Sequence, residues 1–260
     1  MVIRDSENDA GSLSGSGQFV GKSATSPGSA TLLARLSGLA VLRPAERDAT
    51  DNPTAWYLMP FLAILASGMI TRAVSDRFEW LYPLRFFAAA LVLWHYRRRY
   101  RNLDWRFGWA AALIGGIAFL MWLSLDWFTA AGSAGTTGTR LAALPTPARV
   151  TWIFFRALAA STTVPIAEEL AFRGFLLRRL VSADFEKVGA SSITLFSFVV
   201  SSIAFGLLHG NRWVAGTCAG LLYAWAFRGR SRIGDAIAAH AITNALLAAW
   251  VILSGSWQMW

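Results

Sequence analysis

The chain has a single cysteine, Cys218, and only 15% of its 260 residues are charged. One cysteine excludes an internal disulfide and a multi-cysteine metal cluster, and Cys218 reads as a small apolar side chain in a helix. A soluble domain carries roughly 25% charge, so an ordinary soluble protein is excluded as well. Histidine is scarce, with three in all, and no internal repeat is visible. What the chain has is apolar surface: AVILMFWYC make up 55% of it, with 13 tryptophans, a membrane composition. The net charge of +9 does not point to nucleic acid on this background. Basic residues of membrane proteins gather in cytoplasmic loops, and no nucleic-acid partner is expected.

Residues 1–50 differ from the rest. The stretch Met1–Ala30 is rich in Gly, Ser and Ala and reads as disordered. Thr31–Leu42 is too short to span a bilayer and lies too far in for a secretory signal; it reads as an interfacial helix or as unstructured. Seven apolar segments follow, at Ala55–Ile70, Leu81–Tyr96, Phe107–Phe128, Arg149–Leu177, Ser191–Leu208, Trp213–Phe227 and Ile233–Ser254. About 20 residues cross the hydrocarbon core, so the expected fold is all-α, a polytopic membrane helix bundle of about seven spans. A break of the fourth at Pro165 would make eight. The arginines support this register. Arg97, Arg98, Arg99, Arg101 and Arg106 follow the second span, Arg178, Arg179 and Lys187 the fourth, and Arg228, Arg230 and Arg232 the sixth. Alternate loops are poorer in them. That alternation predicts a multi-pass protein of the cell membrane with a cytoplasmic N-terminus. The organisation expected is a tail over 1–50, helices of unassigned role over 51–148, a core over 149–254 and a short tail over 255–260.

Within the core, three apolar segments carry ionisable or amide side chains. Glu168 and Glu169 are followed by Arg173, Phe205 by His209, and His240 by Asn244. An ionisable group in a membrane helix costs about 2.5–3.5 kcal/mol on insertion scales, so it needs a partner and usually a task. Each of Glu169/Arg173, Phe205/His209 and His240/Asn244 is spaced i,i+4, which puts both members on one helix face. Glu169 can then pair with Arg173, while Glu168, about 100° round the helix, stays free as a general base. A histidine from another helix can share its water, and His240 with Asn244 can donate to a developing oxyanion. Glu168, His209 and His240 also resemble a zinc ligand set, so one divalent metal ion is an open alternative to a metal-free water. The carboxylates nearest these histidines in sequence offer no second shell; Asp235 lies about 140° off the His240 face.

The run Glu168-Glu169-Leu170-Ala171-Phe172-Arg173-Gly174 resembles the EExxxRG motif of the CPBP family, the CaaX protease and bacteriocin-processing intramembrane proteases of Rce and Abi type. Phe205–His209 is similar to its FxxxH motif and His240–Asn244 to its HxxxN motif, in family order on separate apolar segments. The resemblance covers roughly residues 149–254. It implies an intramembrane endopeptidase acting on a membrane-associated peptide or protein. Glu168 and His209 would hold or activate the water, Glu169 and Arg173 support them, and His240 and Asn244 stabilise the oxyanion. Members are commonly called metalloproteases, and a metal-independent glutamate mechanism is the rival.

Bland readings stand beside these. Glu169/Arg173 can be a structural ion pair, His209 a polar helix end, and His240/Asn244 interhelical hydrogen-bond glue. A non-enzymatic scaffold or immunity protein, or a small-solute carrier, would then use the same bundle. Arg85, Asp126, Arg156 and Asp235 read as helix-end or interhelix contacts, His95 as interfacial. Trp56, Trp80, Trp94, Trp105 and Trp213 read as an aromatic belt. Depth raises one difficulty: counted from Ser191 at 1.5 Å per residue, His209 lies about 27 Å in, deeper than its partners. The oligomeric state is not legible.

Overall fold

The computed structural model describes residues 52–75, 78–129 and 136–260, without the side chains of 127–129. All of them fall within one compact unit, Ala49–Trp260. The readings of Met1–Ala30 and Thr31–Leu42 lie outside the described residues.

All seven apolar segments are helical, and among the described residues there is no strand. Helix α1 is Pro53–Val74, α2 Pro83–His95 and α3 Trp109–Thr129. A short α4, Thr137–Ala142, precedes α5, Thr146–Ser161. The chain then runs through α6 (Thr163–Glu169), a π-helical stretch (Leu170–Leu176) and a last turn, α7 (Leu177–Arg179). Helices α8 (Leu195–Leu207), α9 (Trp213–Arg230) and α10 (Ile233–Ser254) complete the bundle. Four helical stretches are long and apolar enough to cross a membrane: α1, residues 109–126 of α3, the run 146–179 and α10. Helices α2 and α8 are apolar but shorter.

Local sequence explains the ends. Asn52 caps α1, its side chain accepting from the Thr54 N–H at 3.0 Å, with Pro53 in the first turn where its missing donor costs nothing. The break in the fourth segment falls at Thr162 (φ −131°, ψ −81°), three residues before the expected Pro165. The reason is Pro165 itself: it cannot donate to the carbonyl four residues back, on Ser161, so regular helix fails just after that carbonyl. Helix α8 begins at Leu195, capped by Thr194, because residues 190–192 form a separate 3₁₀ turn. That start is four residues later than Ser191 and takes about 6 Å off the depth of His209.

The apolar interior also holds many small and hydroxylic side chains, and the exterior is greasy. Ser67, Thr71, Ser197, Ser201, Ser202 and Thr243 are buried, their hydroxyls bonded back to carbonyls three or four residues earlier. Outside, Leu253 is 86% exposed, Leu195 79% and Trp109 76%. Helices that pack through Ser, Thr, Gly and Ala while turning Leu and Trp outward are built for lipid. Trp80, Trp94, Trp105 and Trp213 are outward-facing, but Trp56 is buried at 7% exposure, stacked on Tyr57 and edge-on to Tyr100. Trp56 is therefore core and not belt.

Helix α10 sits among α3, α5, α6 and α9, while α8 packs most closely on α9. One end of the bundle collects the basic turns. There Arg178 donates to the Tyr57 hydroxyl, Arg232 reaches Asp104, and the Gly234 and Gly108 amides bond to the Asp104 carbonyl and the Asp235 carboxylate. The opposite end joins Arg212 to Asp126 and to the Gln258 carbonyl, and pairs Arg85 with Glu79. Arg85, Asp126 and Asp235 thus make the helix-end contacts expected of them.

Candidate active site

Glu168 and Glu169 close α6, and Arg173 lies in the π-helical stretch behind them. A π turn is a rare distortion, found mostly at functional positions. Gly174 follows because the Tyr57 ring lies where a Cβ would project. Tyr57 in turn accepts from Arg178 Nη2 at 2.7 Å, and Arg178 Nε donates to the Gly174 carbonyl at 2.6 Å. The motif's Arg–Gly step is thereby fixed against α1.

The two adjacent glutamates have different surroundings. Glu169 is wholly buried: its Oε1 accepts from Arg173 Nη1 at 3.1 Å and from His240 Nδ1 at 2.9 Å. Arg173 Nη2 donates to the Gly220 carbonyl at 2.7 Å, and its guanidinium lies 4.5 Å from the Phe205 ring centre. Glu168 keeps 13% of its side chain exposed, with Oε2 3.8 Å from His240 Nε2, beyond hydrogen-bond reach.

His240 is fixed from three sides. Glu169 takes its Nδ1–H, Tyr223 stacks on the ring at 4.7 Å and 15°, and Phe205 meets it edge-on at 5.5 Å. His209 follows α8. Its Nδ1 lies 3.1 Å from the Phe205 carbonyl, and its ring packs against Phe205 and Trp122. A carbonyl only accepts, so that bond places the proton on Nδ1 and leaves Nε2 with its lone pair. Gly216 leaves room for this ring, since a Cβ there would lie 2.7 Å from His209 Nδ1. Asn244 Nδ2 donates to the Ala160 carbonyl at 2.8 Å, linking α10 to the end of α5.

His209, His240 and Asn244 line one cavity of about 180 Å³, together with Phe205, Tyr223 and Arg156. Glu168 borders it through His240. Helices α6, α8 and α10 thus bring the three short motifs to one place. Phe205 holds His209 through its carbonyl and ring; Arg173 supports Glu169, which supports His240.

Several contributors were not legible beforehand. Tyr223, the Gly220 carbonyl, Trp122 and the Ala160 carbonyl come from elements without a motif. A faint signal existed for Tyr223, which shares a helix face with Ala219 and Gly220 at spacings of four and three. The carboxylate that holds His240 is not one of its neighbours in sequence. Glu169 supports His240 from another helix, a relation that sequence distance along α10 cannot reveal.

Comparison with known proteins adds one match. The family model described as type II CAAX prenyl endopeptidase, Rce1-like, matches residues 150–246. This segment is similar to the Rce1-like family, in keeping with the CPBP family. It covers a little over a third of the chain and holds all three motifs. No curated protein and no solved structure gives a match. Protease activity is what an Rce1-like segment implies in general, and its apolar helices make the chain a membrane protein.

Proposed function

We propose that the chain is an intramembrane endopeptidase that cuts a membrane-associated peptide or protein with a water activated by Glu168 and His209. One observation carries the reading: Glu169 is buried with its Oε1 shared by Arg173 and His240, while Glu168 remains the partly exposed carboxylate beside a cavity lined by His209, His240 and Asn244. Glu168 takes a proton from the water as its oxygen attacks the carbonyl carbon. It returns that proton to the leaving amine nitrogen, restoring the carboxylate. His209 Nε2 accepts a hydrogen bond from the same water, because its Nδ1 is held by Phe205. Asn244 spends one N–H on Ala160 and keeps a second for the oxyanion. His240, held by Glu169 and Tyr223, keeps its Nε2 edge beside Glu168.

A metal is the rival device. Glu168, His209 and His240 are donor types that zinc accepts, and both histidines hold Nδ1 in bonds that orient metal ligands. Yet among the described residues no three His, Cys, Asp or Glu side chains gather as a metal-binding group. The residues as arranged do not fit a bound ion, and no step is routed through one. Zinc in stoichiometric amount in purified protein, with activity lost to a chelator and restored by add-back, would overturn this reading.

The arginine-rich end, with Arg97–Arg101, Arg178, Arg179, Arg228, Arg230 and Arg232, would face the cytoplasm of a cell membrane. The proteolytic reading is tested by comparing membrane peptides, by mass spectrometry, between cells expressing the wild type and Glu168→Gln. Fragments present only with the wild type support it. Identical peptide sets would refute it.

A further inference from the structure

Arg156 lies in the cavity wall, and the chemistry above does not use its charge. It projects from α5, one turn before Ala160, whose carbonyl anchors Asn244. Among the described residues it forms no ion pair. Its guanidinium is held instead by aromatic faces, 4.5 Å from the ring centre of Tyr82, 5.7 Å from Trp152 and 5.5 Å from Trp260. Arg156 also lines a second cavity of about 300 Å³ with Arg72, Glu79 and Arg85. The Glu79 carboxylate is already shared there, 2.6 Å from Arg85 and 3.2 Å from Arg72. That wall carries three guanidinium groups against one carboxylate. A charge on a membrane helix calls for a partner, and aromatic rings leave the planar fork of an arginine free to take a carboxylate on two N–H groups.

We propose that Arg156 is a carboxylate subsite that anchors the bound peptide close to the bond being cut. The inference rests on the proteolytic reading for its ligand class. Arg156 and Ala160 are four residues apart, about 6 Å along the helix. An extended peptide covers that in about two residues, at roughly 3.3 Å each. The carboxylate is then the α-carboxylate of a chain end or an Asp or Glu side chain, within a few residues of the scissile amide.

Binding is measured on the purified full chain carrying Glu168→Gln, by quenching of tryptophan fluorescence. The probes are N-acetyl-trileucine as the free acid, the same peptide as its C-terminal amide, and an amidated analogue with aspartate in the last position. The acid is expected to bind about tenfold tighter than the amide, as a charge-assisted pair allows. Arg156→Gln should erase that preference and Arg156→Lys, which keeps the charge but loses the fork, should reduce it. Tight binding of the aspartyl amide assigns the site to a side chain, and tight binding of the acid alone assigns it to a chain end. Equal affinity for all three probes, or a preference unchanged in Arg156→Lys or Arg156→Gln, overturns the subsite. If Arg156→Gln fails to fold, the three-probe comparison and Arg156→Lys still decide. Acid preference without any wild-type cleavage would remove proteolysis and keep the subsite, whereas cleavage with equal affinities would do the reverse.

Discussion

Two clusters in this bundle share a recipe and differ in setting. Around Glu169, one carboxylate bonds Arg173 and His240, and all three side chains are at most 3% exposed. Around Glu79, one carboxylate bonds Arg85 and Arg72, but Glu79 is 23% exposed and Arg72 76%. The first draws its members from α6, the π turn and α10, and the second from one turn and its flanking helices. Partners that must meet across helices in a dry interior cannot be replaced by water when one is removed. Partners at a wet end can. The buried cluster should therefore hold the fold and fix the site, and the outer one should contribute little to either.

The largest expected difference is in folding. Arg173→Ala leaves Glu169 buried without its charge partner, a change that typically costs about 3–5 kcal/mol. Folded protein recovered from membranes should fall sharply, as size-exclusion yield would show; a wild-type yield would mean the cage is not rigid. Next comes Asn244→Ala, which removes the amide held by Ala160. Turnover should drop by about 10²–10³ with folded yield retained, measured on a peptide identified by the mass-spectrometric comparison. Full turnover would remove Asn244 from the chemistry. Glu79→Gln, at the wet end, should change thermal stability by no more than about 1 kcal/mol. A loss as large as that for Arg173→Ala would erase the contrast between the clusters.

The smallest effect concerns pH at the basic end. Hydrogen bonds from Arg106 hold the Asp104 carboxyl down to about 2. A depressed folded value means that the link between Asp104 and Arg106 is present above the ordinary carboxylate range and is lost only as pH falls towards about 2. Fluorescence of the adjacent Trp105 should therefore not report opening of this loop between pH 7 and 5. A transition abolished by Asp104→Asn would contradict it.

What the sequence made legible was local. The i,i+4 pairs and the apolar segments depend on the helical repeat alone, so α1, α3 and α10 and the Glu169–Arg173 contact follow from spacing. Relations between helices were not legible. His240 finds Glu169 and not only Glu168, because α10 packs on α6 at a height that no pattern records. Arg173 finds the Gly220 carbonyl because Gly220 lies close to Ser202 and Phe205 on α8, a matter of packing. The break at Thr162 was displaced from Pro165 for a reason readable in principle, since a proline disrupts the turn before it. The π turn has no counterpart in composition or period. Arg156 read as an interhelix contact, and what distinguishes it from Arg85, which pairs with Glu79, is that among the described residues it has aromatic faces around it and no carboxylate paired with it.

The division of labour between adjacent glutamates is the central claim, and paired substitutions test it most directly. Glu168→Gln and Glu169→Gln are reconstituted side by side, and folded yield and peptide cleavage are measured in the same preparations. Glu168→Gln should fold as the wild type does and lose cleavage by about 10²–10⁴, whereas Glu169→Gln should lose folded protein first. Wild-type cleavage by Glu168→Gln, or normal folding of Glu169→Gln with cleavage abolished, would contradict that division.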